Sequence, residues 1–139
     1  MQIRLYRPAD EADVVALWQD CGLTRPWNDP YRDIARKLAE QPELFFVGEL
    51  GGRLIASIMV GYEGHRGVVN YLAVHGDHQG SGYGRVLMAH AEQVLLARGC
   101  PKLNVLVRTG NEPVLAFYAK LGYQVDAAVS LGKRLIPDN

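Results

Sequence analysis

Apolar and polar residues alternate from Gln2 to Arg7, with Ile3 and Leu5 on one side, which predicts an opening strand. The period then lengthens. Val14, Leu17, Trp18 and Cys21 recur at i, i+3, i+4 and i+7, so the spacing predicts a helix with Asp10 as N-cap, Asp13 at N3 and Gly22 at C′. Leu23 to Asn28 reads as a loop. Asp29 and Pro30 make the cap and first residue of a second helix, with Ile34 and Leu38 inward and Pro42 ending it. Strands are predicted over Glu43–Leu50, Arg53–Gly61 and Val68–Val74, joined at Gly51-Gly52 and Gly64–Gly67 as an antiparallel meander. A long amphipathic helix follows the glycines at 80, 82 and 84 and runs to about Arg98, with Leu87, Ala91, Val94 and Leu95 on one side. Leu103–Val107 reads as a fifth strand. Asn111 then caps a fourth helix whose apolar set is Leu115, Phe117, Tyr118 and Leu121. Tyr123–Val129 and Leu131–Ile136 read as one or two last strands. The order βααβββαβαβ(β) predicts an α/β (α+β) fold. Its sheet would be mixed and mostly antiparallel, of six to seven strands, with about four helices on both faces.

Length and charge narrow the function. The chain has 139 residues, enough for one domain spanning 1–139 and a core without disulfides. Fifteen basic and fifteen acidic side chains cancel, whereas affinity for nucleic acid or an anionic membrane rests on a basic excess. The best apolar run, Leu54 to Val60, is too short to span a bilayer. The N-terminus has no signal-peptide stretch, so a cytoplasmic location is expected. Cys21 and Cys100 stand far apart and form neither a disulfide framework nor a metal site. A final strand at the sheet edge offers a route to a homodimer.

The candidate chemistry lies at His75–Gly84. Gly80, Gly82 and Gly84 alternate just before a helix start, where backbone N–H groups reach a ligand unobstructed and the helix dipole favours an anion. This is a phosphate cradle. It lacks the Gly-Lys-Ser/Thr of a P-loop, and its G-x-G-x-G spacing differs from the dinucleotide G-x-G-x-x-G. The strand ending at Val74, the long helix and the strand at Leu103–Val107 form a right-handed β–helix–β unit with parallel strands. If those strands diverge at their C-terminal ends, an elongated cofactor has a slot beside the cradle, with Asn111 and Tyr118 close by.

Two linked blocks carry a family resemblance. Tyr71-Leu-Ala-Val74 leads into Gln79-x-x-Gly82-x-Gly84, and Asn111 precedes Ala116-Phe-Tyr118-x-Lys-Leu-Gly-Tyr123. In order and separation this resembles the GNAT superfamily of acyl-CoA-dependent N-acyltransferases, over essentially the whole chain. Arg25–Pro30 and Gly61–Gly67 also look like segments of a small, uncharacterised bacterial subgroup. The resemblance implies that Leu72 and Val74 pair through their backbones with the pantetheine arm of acetyl-CoA, the Val74 N–H polarising the thioester carbonyl. It implies that N–H groups of Gln79, Gly80, Ser81, Gly82, Tyr83, Gly84 and Arg85 hold the pyrophosphate, that Asn111 touches the pantetheine and that Tyr118 protonates the leaving thiolate. It further implies direct acetyl transfer to a small-molecule amine or a peptide or protein amine.

One part of the family pattern is missing. Val68–Val74 holds no carboxylate, and Leu106 stands where a glutamate base is sometimes seen. The candidate bases are therefore Glu63, His65 and Asp29. Trp27 is either an acceptor wall or a core residue, and Asp29 reads more simply as a helix cap. Arg25, His65 and Arg66 suit an acceptor bearing a carboxylate. A CoA-binding sensor without turnover is the alternative function; the missing base favours it and Tyr118 opposes it.

Overall fold

The structure is a computed structural model that describes residues 1–138. Five strands form one sheet in the order β1 (Gln2–Leu5), β2 (Phe45–Leu50), β3 (Arg53–Tyr62), β4 (Gly67–Val74) and β5 (Leu103–Val105). The first three pairings are antiparallel and β4–β5 is parallel. Four helices cover it: α1 (Glu11–Asp20), α2 (Pro30–Glu40), α3 (Tyr83–Ala97) and α4 (Glu112–Lys120).

Strand alternation sorts the core into two layers. Phe45, Val47, Met59 and Ala73 pack with Val14, Leu17 and Trp18 of α1 and Ile34 of α2. Phe46, Ala56, Ile58 and Val60 pack on the other face with Leu87, Met88, Ala91 and Leu95 of α3. The stripe read at Val14, Leu17 and Trp18 is buried, while Cys21 at its end is half-buried. In α4, Tyr118 is buried and Phe117 and Leu121 pack beside it, but Leu115 is exposed and Val114 packs in its place.

Other expectations change as well. Asp10 does not cap α1 with its side chain. Its carboxylate takes the Arg7 N–H at 2.8 Å and both Arg4 Nη groups at 2.8 and 2.9 Å, because a short 3-10 turn over Pro8–Asp10 precedes the helix. The fifth strand ends at Val105, two residues early, and Leu106 is exposed. Finally, Tyr123–Val129 and Leu131–Ile136 form no strand, so the sheet has five strands rather than six or seven. Val125, Val129, Leu131 and Leu135 stand 85–92% exposed, because β5 offers too short a ladder to recruit them. The segment is held at its two ends. Asp126 bonds Lys102 and Asn104, and Asp138 is gripped by Arg36 at 2.6 and 3.0 Å.

Candidate active site

The cleft begins where β4 and β5 part. They pair only from Gly67↔Leu103 to Val69↔Val105, and β4 then runs on to Val74 with no ladder partner on that side. A bulge helps to bend it away. Between Ser57↔Ala73 and Met59↔Asn70, Ile58 of β3 faces both Tyr71 and Leu72 of β4. Tyr71 takes φ +51°, alone among the described non-glycine residues, at a cost of about 1–2 kcal/mol. Its surroundings hold it there. Ser57 Oγ donates to the Tyr71 carbonyl at 2.8 Å and accepts from Trp18 Nε1 at 2.9 Å, and the Tyr71 ring stacks on Trp18 at 3.7 Å.

The opening measures about 770 Å³, within the size range of small-molecule sites. Leu72, Val107, Asn111, Val114 and Tyr118 line one side, and Cys21, Trp27, Asn28, Asp33 and Tyr71 the other. Asn111 occupies the N-cap of α4 without capping it, so its amide is available to the cleft. Tyr118 packs between Phe117 and Tyr123, and burial pushes its phenol above the ordinary value.

Past Val74 the chain makes a 3-10 turn and enters the glycine segment. Gln79 Nε2 donates to the Val74 carbonyl at 2.9 Å, and the Gln79 N–H turns back to Gly76. Gln79 thus fastens the loop to the strand. Gly80 and Gly82 take φ +82° and +83°, a left-handed backbone that admits glycine without strain. Gly84 serves a different need, since a Cβ there would lie 3.1–3.2 Å from the Phe117 ring. The N–H groups of Gly80 through Arg85 find no backbone acceptor among the described residues and sit at the start of α3. The four from Gly82 to Arg85 are at the helix N-terminus and the two before them in the loop that leads into it, a donor set that fits a diphosphate.

A model of the acetyltransferase (GNAT) family matches residues 11–123. This chain belongs to that family. An acetyltransferase of Sodalis glossinidius is 50% identical over 139 residues, covering 99% of this chain and 98% of that one. Among solved structures, Ard1 from Thermoplasma volcanium shares the fold with a TM-score of 0.81 at 24% identity, over 91% of this chain and 84% of that one. A predicted acetyltransferase from Clostridium acetobutylicum, solved with acetyl-CoA, has a TM-score of 0.71 at 18% identity, over 94% and 95% of the two chains. Acyl transfer is the chemistry of the GNAT family, and the mixed sheet with its single parallel pair is a GNAT fold.

The GNAT cleft gathers some of the sequence candidates and leaves out others. Leu72, Asn111 and Tyr118 line it, and the glycine segment follows directly on β4. Glu63 and His65 lie on the β3–β4 turn, at the end where β4 and β5 are still paired. Seven residues of β4 separate that end from Val74, about 23 Å of strand. The Glu63 carboxylate is spent on the His65 and Arg66 N–H groups, which hold it below its usual range. Neither residue is placed to act as a base in the cleft. Asp29 caps α2, accepting from the Tyr31 and Arg32 N–H groups at 2.9 and 3.4 Å. Trp27 lines the cleft half-exposed, with the Arg108 guanidinium 5.9 Å from its ring centroid. Cys21 reaches the cleft too, but its Sγ lies against the Val74 carbonyl and burial pushes the thiol up, which opposes a thiolate nucleophile.

Sequence reading missed a polar cluster on the acceptor side. The Tyr71 hydroxyl donates to Asp33 Oδ2 at 2.6 Å, and Asn28 Nδ2 bonds both the Asp33 carboxylate and the Tyr71 hydroxyl. Burial and the Asp33 charge raise the Tyr71 phenol well above its usual range. The signal was absent from local periodicity, because a β4 bulge and an α2 face meet only in the folded chain. Among the described residues, no group of three or more His, Cys, Asp or Glu could hold a metal, and no helix is long and apolar enough to cross a membrane.

Proposed function

We propose that this GNAT chain is an N-acetyltransferase that moves the acetyl group of acetyl-CoA directly to a primary amine. One observation carries the reading: a wedge between parallel strands holds the Tyr118 phenol, and the unpartnered amides at the start of α3 meet the same helix α4 where Gly84 lies against Phe117. The glycine-segment amides would take the diphosphate, the free edge of β4 at Leu72 and Val74 the pantetheine arm, and the Asn111 amide the same arm. The Val74 N–H would polarise the thioester carbonyl; a fixed donor on a developing oxyanion is worth about 3 kcal/mol.

In the reaction the amine nitrogen attacks the thioester carbon and its electron pair forms the C–N bond. The C–S bond then breaks, and the sulfur leaves with that bond pair. Tyr118 gives its proton to the thiolate. A thiol near ~8.5 and a phenol near ~10 are matched closely enough for transfer as charge develops, and burial keeps Tyr118 protonated until then. The nitrogen would give its proton to the Tyr71 oxygen as the Tyr71 proton passes across their hydrogen bond to Asp33 Oδ2, leaving that carboxyl protonated.

Free-thiol release from acetyl-CoA with a panel of amines tests this. Tyr118→Phe is expected to lower kcat by about 10²–10⁴ with acetyl-CoA affinity close to that of the parent. An unchanged kcat removes Tyr118 from the mechanism. Binding of CoA without thiol release from any amine identifies a CoA-binding sensor, a reading that the missing carboxylate on β4 and β5 favours.

A further inference from the structure

The acceptor half of the cleft carries a charge imbalance that the neutral chain hides. Arg25, Arg36, Lys37 and Arg108 line it, against only Asp33 and Glu40. Two of the cations are already satisfied. Arg36 is held by Asp138 and Asp33. Lys37 gives its ammonium to the Val60 carbonyl, and burial depresses its pKa. Arg25 and Arg108 have no carboxylate partner among the described residues. Arg25 is pinned by the Gly22 and Thr24 carbonyls at 2.7 and 2.8 Å, and Arg108 lies over Trp27. The Nε–Nη2 edge of Arg25 and the Arg108 guanidinium are therefore left at the cleft without an anionic partner among the described residues.

The acidic side of the cleft is equally defined. The Asp33 carboxylate, which also takes Arg36 at 3.3 Å, and the Tyr71 oxygen, joined to each other and to Asn28, offer acceptors to the N–H groups of an amine. Asp33 sits in the first turn of α2, the end nearest the Arg25–Asn28 loop. Glu40, the remaining carboxylate, ends α2 seven residues further on, about 10 Å along the helix. A cationic site and an anionic site are thus adjacent at one end of α2.

We infer that the acceptor amine carries one anionic group of its own, its nitrogen seated at Asp33 and Tyr71 and its anion read by Arg25 and Arg108. This deepens the N-acetyltransferase reading and rests on it for the amine. A carboxylate or a phosphate ester satisfies a guanidinium fork equally, so an amino acid and an aminoalkyl phosphate share the required chemistry. A polyamine, which has no anion to offer, would place charge against both arginines.

The experiment compares matched amines: leucine with leucinamide, phosphoethanolamine with ethanolamine, and spermidine as the polycation. Thiol release from acetyl-CoA is expected to show kcat/KM roughly tenfold or more higher for the anionic member of at least one pair. The pair that discriminates tells carboxylate from phosphate. Arg108→Gln is expected to shrink that ratio by raising KM for the anionic amine, with KM for acetyl-CoA unmoved. Arg25→Lys keeps the charge without the fork and should weaken discrimination partly. Equal rates within both pairs, a preference for spermidine, or a ratio unmoved by Arg108→Gln overturns the inference. Calorimetry of the same amines on the CoA-bound protein separates the two readings. Arg108-dependent binding of the anionic amine without thiol release sinks transfer and keeps the acceptor site. Thiol release without discrimination does the reverse, and neither binding nor release sinks both.

Discussion

The alternating glycines at 80, 82 and 84 look equivalent in the sequence, yet they answer to two different constraints. Gly82 needs a left-handed backbone and has open space where a Cβ would be; Gly84 has an ordinary backbone and the Phe117 ring 3.1 Å away. Their alanine variants should therefore fail differently. Gly82→Ala is expected to cost about 1–2 kcal/mol and to raise KM for acetyl-CoA, because the strained loop turns its amides. Gly84→Ala sets a gain in helix propensity of about 1 kcal/mol against overpacking of about 1–3 kcal/mol. Phe117→Leu should relieve the second and not the first. Double-mutant cycles by urea unfolding check this: coupling of about 1 kcal/mol is expected for Gly84 with Phe117 and none for Gly82 with Phe117. Residue identity thus foretold the loop, while the division of labour within it depends on where α4 docks.

At the level of elements, α2 shows which local signals survive folding. Asp29-Pro30 announced its start, and the Asp29 carboxylate does take the first-turn N–H groups. That short-range chemistry needs nothing from the rest of the chain, which is why it was legible. The opening of the cleft was legible for the same reason, since a β–helix–β unit and a glycine turn are encoded within one stretch. The bulge at Tyr71 was not, because it depends on β3 supplying one residue against two. Nor was the exclusion of Glu63, whose carboxylate is consumed by its own turn. The same helix brings Asp33 to Tyr71, so the proposed acceptor site makes the cap testable. Asp29→Ala is expected to cost about 1 kcal/mol by urea midpoint. It should also raise KM for the amine more than KM for acetyl-CoA. Equal changes in the two constants would mean that α2 does not position the acceptor side.

Across the whole molecule, equal numbers of acidic and basic side chains conceal groups whose titration is tied to the fold. The final segment belongs to this scale. Its alternating apolar residues announced strands, but a strand exists only where a neighbour offers a ladder, and the three residues of β5 do not extend that far. What fixes its end is charge: Arg36 beside Asp138 holds that carboxylate far below its usual range. Arg4 also lowers Asp10. Both groups are ionised in the fold more readily than in the unfolded chain, whose ordinary value is 3.8. Their stabilisation is complete above that value and fades as pH falls through the folded pKa values. His90 adds a separate step. Its Nε2 is buried without a partner, its ring meets Phe46 edge-on, and burial pushes its pKa below the ordinary 6.5. The unfolded chain therefore binds this proton first, and stability begins to decline as pH drops below about 6.5. Acid unfolding should show two limbs, a shallow one from His90 and a steeper one from Asp10 and Asp138. Urea midpoints measured from pH 8 to pH 3 should lose the upper limb in His90→Leu and keep the lower. Asp138→Asn should flatten the lower limb and keep the upper. Parallel curves for the parent and His90→Leu between about pH 7 and pH 5 would show that the imidazole titrates alike in both states, with its buried nitrogen reached by water.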